Sequence, residues 1–128
     1  MTMQEIFNIA APALLAQDAR SFRKNALSED DETVEVICAY RSTDGLKCAI
    51  GHIIPDSIYR EEMEGRAVLE IYTEYEDFKN IIGSEWDSQL LTFLTRLQEV
   101  HDNYEPFLWS MVFRDLAADF NLNADCIK

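Results

Sequence analysis

Between Cys38 and Gly65 the chain reads CAYRSTDGLKCAIGHIIPDSIYREEMEG, and the fold turns on how this stretch is organised. It holds two of the three cysteines, three of the four glycines and one of the two histidines. Leading into it, Val34, Val36, Cys38 and Tyr40 alternate with Glu35, Ile37, Ala39 and Arg41, the period-two pattern of a strand with one apolar side. Asp44-Gly45 then predicts a tight turn, because both residues accept positive φ, with a return strand near Leu46 to Cys48. CAIGHII either extends as strand or opens a helix. Pro55 stops it in both cases by driving the residue before it out of the helical region. Asp56 or Ser57 is then expected to cap a short helix that ends at Gly65.

Outward from this corner the pattern is helical. In MQEIFNIAAPALLAQ, residues 3–17, Ile6, Phe7, Ala10, Leu14 and Leu15 recur at helical spacing. Pro12 should kink that helix or begin a second one. From Asp18 to Glu32 the chain is polar and reads as a loop, most acidic around 24–33. RAVLEIYTEYEDFKNII, residues 66–82, carries two competing periodicities, Leu69/Tyr72/Glu76 and Ile71/Tyr75/Phe78/Ile82, and is assigned to helix. Ser84 with Asp87 resembles a capping pair before WDSQLLTFLTRLQEV, in which Trp86, Leu90, Phe93, Leu94, Leu97 and His101 share one face. Pro106 suits the start of a last helix with Trp109, Val112, Phe113, Leu116 and Phe120 as its buried stripe. The expected fold is α+β and predominantly helical: one globular domain over residues 1–128, a helical bundle with a small antiparallel hairpin.

Composition narrows the function. With 48% hydrophobic residues the 128-residue chain can bury a core. Neither a signal peptide nor an 18-residue apolar span is visible, and three cysteines without framework spacing suit a reducing interior, so a cytoplasmic location is expected. The formal charge is −13, and all of that net charge lies between residues 29 and 105. Such a field repels phosphate backbones and anionic lipid and attracts basic protein surfaces, which argues against direct nucleic-acid or membrane binding. Glu61, Glu62, Glu64, Glu70, Glu74, Glu76 and Asp77, with Tyr72 among them, form the candidate partner-binding face. Acids three or four apart on a helix stand ~5–6 Å from each other, a spacing comparable in order of magnitude to successive phosphates. A face of that kind can compete for a groove made for nucleic acid.

Chemistry offers weaker candidates. Cys48 and His52 are four apart, Cys38 approaches from the strand, and His101 completes a two-thiolate, two-imidazole set of the kind zinc accepts. His101-Asp102 also has the His-Asp pair of HD-type metal-dependent phosphohydrolases, with His52 and Asp115 or Asp119 available as further ligands. The NYEPF that follows departs from that family's apolar, glycine-containing turn. A zinc- or manganese-dependent hydrolase, or a metal-stabilised domain, using Cys48, His52, His101 and Asp102 is therefore the alternative to a binding protein. His101 otherwise continues a buried stripe near a helix C-terminus, where the negative end of the dipole favours a protonated ring. No nucleophile elbow, phosphate cradle or other cofactor motif is present.

The phrase C-A-x-G-x-x-I-P-D-x-x-Y-x-x-x-x-E-G at Cys48 to Gly65, with L-Q-x-x-H-D at Leu97 to Asp102, resembles a family of small acidic proteins of bacteria and bacteriophages. The resemblance spans roughly Cys38 to Trp109 and brings no activity, cofactor or catalytic residue. It implies a phage or mobile-element protein working in a bacterial host cytoplasm. By analogy, such a protein would engage a basic host protein, for instance as an inhibitor or nucleic-acid mimic directed at a defence complex.

Overall fold

A computed structural model describes residues 1–26 and 34–127 of the chain. Among these described residues five α-helices run in the order α1 (Met3–Gln17), α2 (Val68–Glu74), α3 (Glu76–Ile82), α4 (Ser88–Asn103) and α5 (Trp109–Asp119). Two strands, β1 (Phe22–Ala26) and β2 (Val34–Cys38), pair antiparallel after α1, with Phe22 opposite Cys38 and Ala26 opposite Val34. The architecture is α+β and mainly helical, as the sequence pattern predicts.

The helices are fixed by their ends and their stripes. Thr2 and Glu5 form a reciprocal capping box at the start of α1, which places Ile6, Phe7, Ala10, Ala11 and Leu14 inward. Pro12 neither splits nor ends this helix, which is continuous to Gln17. Asp87 accepts the backbone N–H groups of Gln89 and Leu90, so α4 begins at Ser88. Trp86 consequently lies outside the helix and is 67% exposed, whereas Leu90, Phe93, Leu94, Leu97 and His101 are buried as expected. Phe7 of α1 meets Phe113 of α5 edge to face at 6.2 Å, and His101 of α4 stacks on Trp109 at 5.8 Å.

Four expectations need correction. The partner of β2 is β1, from a segment expected to be loop, and only residues 27–33 of the predicted acidic loop fall outside the described chain. The Asp44-Gly45 turn exists, with Gly45 at φ +90°, but its return is a single bridge between Arg41 and Lys47. The helix expected between Asp56 and Gly65 is two turns, at Pro55 to Tyr59 and a 3-10 turn at Glu61–Met63. Helix 66–82 is broken at Tyr75, whose extended backbone (φ −112°, ψ 101°) separates α2 from α3. Neither periodicity is kept intact: α2 buries Val68, Ile71 and Tyr72, and α3 buries Phe78 and Ile82, while Leu69 and Glu76 are exposed.

The opening stretch forms a clip. Ile50–His52 is a 3-10 turn packed against α1 and α4, and Gln98 of α4 accepts the N–H of Ile50 at 3.1 Å. Gly51 lies so close to Tyr40 that a Cβ there would stand 2.1 Å from the Tyr40 carbonyl oxygen, so contact rather than positive φ requires glycine. Among the described residues, no helix is long and apolar enough to cross a membrane.

Candidate functional site

The acids of the middle segment divide into structural and exposed groups. Glu64 is structural: its carboxylate accepts the N–H groups of Tyr40 and Arg41, both at 3.0 Å, and the Tyr59 hydroxyl. Its side chain is only 9% exposed. Tyr72 is also internal, with a buried ring and a hydroxyl that donates to the Gly83 carbonyl. These two leave the predicted partner-binding face. The others remain at the surface. Glu61 pairs with Arg23 at 2.8 Å, Glu62 is exposed, and Glu70 accepts the Ala67 N–H at 3.3 Å ahead of α2.

The break at Tyr75 brings the remaining acids together. Glu74 ends α2, while Glu76 and Asp77 open α3, and all three line a cleft of about 170 Å³ with Tyr75, Ile58 and Arg60. Arg60 does not neutralise it through an ion pair: its Nη1 donates to the carbonyls of Ser57, Ile58 and Tyr59. Glu74 pairs with Arg66, and among the described residues Glu76 and Asp77 have no ion-pair partner. The volume suits the end of one side chain, since small-molecule pockets start near ~300 Å³. Carboxylates beside a tyrosine ring favour a cation, by charge and through the face of the ring.

A second group gathers at the other end of the clip. Cys38, His101 and Asp102 have ligand atoms within 4.8 Å of one another. His101 Nε2 accepts the buried N–H of Ser21 at 2.8 Å, and its Nδ1 faces Asp102 Oδ1 at 2.8 Å. A donor aimed at Nε2 requires a lone pair there, so the ring is neutral and its proton sits on Nδ1, donated to Asp102. The protonated ring expected from the helix terminus is thus replaced by a hydrogen-bonded neutral one. Burial pushes the Cys38 thiol up to about 12, and its hydrogen bond to Asp102 acts in the same direction.

Metal ligation at this group competes with its hydrogen bonds: through His101 Nε2 it would cost the buried Ser21 N–H its acceptor, and through Nδ1 it would break the bond to Asp102. The remaining predicted ligands are elsewhere in the hydrogen-bond network. Cys48 is fully buried and accepts the Gly51 N–H at 3.3 Å, with its thiol also raised by burial to about 12. His52 meets Gln17 Oε1 at 3.1 Å, and its pKa is lowered first by burial and then by Lys47 and His101. Asp115 is exposed and Asp119 pairs with Arg96 at 2.8 Å. The four-ligand set Cys38, Cys48, His52 and His101 is not assembled, and neither is the hydrolase set. Asp102 is the member that the zinc pattern omitted.

Comparison of the chain with family models, with curated proteins and with solved structures yields no match.

Proposed function

We propose that this protein is a non-enzymatic, acidic protein-binding module whose Glu74–Asp77 cleft receives a lysine or arginine side chain from a basic partner surface. The convergence of Glu74, Glu76 and Asp77 beside Tyr75, with Arg60 turned back onto its own backbone, is the observation that supports it. Glu61, Glu62 and Glu70 extend the negative potential around that anchor and draw a basic partner in at long range. A partner surface that otherwise holds nucleic acid has the matching charge. In the setting implied by the sequence resemblance, this would be a host protein met in the bacterial cytoplasm, with inhibition arising from occupation of its basic groove.

Binding of a fluorescein-labelled arginine-rich peptide to the full chain tests the proposal. Glu76→Gln/Asp77→Asn should weaken it at least tenfold, about 1.4 kcal/mol, and rising salt should weaken the wild type. A loss below twofold would contradict the proposed anchor.

A further inference from the structure

We propose that the cavity enclosed by β2, residues 65–69 and α4 binds a small organic ammonium ion with an apolar body, an arylalkylamine being the simplest example. Its volume is about 430 Å³, within the range of small-molecule sites. Ile37, Tyr40, Val68 and Leu69 give it apolar walls, while Asp102 and Glu99 bring carboxylates from α4.

The charge of Asp102 selects the ligand. Among the described residues its carboxylate is bonded by neutral donors: His101 Nδ1 at 2.8 Å, Gln98 Nε2 at 3.1 Å and the Cys38 thiol. Arg20 is the nearby guanidinium, but it donates to the Asp102 carbonyl at 2.6 Å rather than to the carboxylate. Arg66 lines the cavity, yet its Nε bonds to the Glu62 carbonyl at 2.9 Å and its Nη1 to Glu74. The cation among the described lining residues, Arg66, is thus already paired with Glu74. An organic anion meets two carboxylates, and a neutral molecule leaves both carboxylates without a cation inside the cavity. A cation with an apolar body satisfies both the walls and the acid.

The polar network behind Asp102 fixes its aim. Ser21 N–H holds His101 Nε2, and His101 Nδ1–H holds Asp102, so the carboxylate is oriented before any ligand arrives. Cys38 beside it, its thiol raised by burial, contributes a further hydrogen bond to the carboxylate.

Phenethylamine, 2-phenylethanol and 3-phenylpropanoate, titrated into the full-length chain and followed by backbone-amide NMR shifts, separate the possibilities. The amine should saturate with a sub-millimolar Kd, shifting residues around Cys38, Val68 and Asp102, and the alcohol and carboxylate should bind at least tenfold more weakly. Asp102→Asn should reduce amine affinity at least tenfold. Ala67→Trp, at an exposed position on the rim, should block it while leaving the fold intact by circular dichroism, so the test survives if Asp102→Asn fails to fold. Equal binding of alcohol and amine, no saturation by about 10 mM, or retained binding by Ala67→Trp would overturn the proposal. Shifts centred on Tyr75 and Asp77 would also overturn it, by placing the amine in the acidic cleft. The two proposals thus fail separately.

Discussion

His101 Nε2 accepts the backbone N–H of Ser21 at 2.8 Å, tying the entry to β1 to the last turn of α4 across 80 residues of sequence. Both residues are fully buried, so water cannot replace the lost partner. His101→Phe preserves ring volume and the stack on Trp109 but removes the acceptor. Urea unfolding should show a loss of about 1–3 kcal/mol, the cost of a buried unsatisfied donor. An unchanged midpoint would mean that the ring serves only packing.

Glu64 and Glu61 are three residues apart and should behave oppositely. Glu64→Ala leaves the N–H groups of Tyr40 and Arg41 without their acceptor and should cost about 2–4 kcal/mol in chemical denaturation. Glu61→Ala removes one exposed ion pair with Arg23 and should cost less than about 1 kcal/mol. Equal losses would refute the division of the acids into structural and exposed groups.

His52 makes stability depend on pH in a defined direction. Its folded pKa lies below the ordinary value of 6.5, so the folded chain prefers the neutral ring and the unfolded chain takes up the proton first. The resulting stabilisation is complete above pH 6.5 and is lost as pH falls through the folded value. Measured against His52→Gln, which leaves the His101 network unchanged, the wild type should lose relative stability between pH 7.5 and 5.5. A difference independent of pH would contradict this.

Cys38 and Cys48, both pushed up to about 12 by burial, should resist alkylation in the native protein at pH 8. Only on the order of one thiol in ten thousand is then ionised, against roughly a quarter of an ordinary thiol. Mass spectrometry after timed iodoacetamide treatment should find both unlabelled until denaturant is added. Rapid native labelling of Cys38 would reopen nucleophilic chemistry at the cavity.

Local pattern carried the helical part of the fold because it repeats within one segment. The stripe Leu90, Phe93, Leu94, Leu97, His101 is legible from spacing alone, but the cap was misplaced: the expected Ser84–Asp87 pair would start the helix ahead of Trp86, whereas Asp87 itself is the N-cap and leaves Trp86 outside. The strand Phe22–Ala26 was not legible: FRKNA has neither β-branched residues nor alternation, and its pairing depends on β2. The acids were visible by composition, but the burial of Glu64 follows from backbone donors supplied at Tyr40 and Arg41. The helix break at Tyr75 that creates the cleft was not read from the pattern, because both periodicities run across it and the segment was assigned to one helix. Asp102 could join Cys38 only through the packing of α4 beside β2, a contact between distant segments that spacing rules do not encode.

The most direct test of the acidic anchor separates position from total charge. Glu74→Lys/Glu76→Lys/Asp77→Lys should be compared with Glu105→Lys/Asp115→Lys/Asp125→Lys, an equal reversal at exposed acids outside the cleft, for affinity toward the labelled arginine-rich peptide at about 0.15 M salt. The cleft triple should lose at least a hundredfold and the distal triple less than tenfold. Equal losses in the two variants would show that the peptide responds to net charge alone, and the cleft would then have no part in recognition.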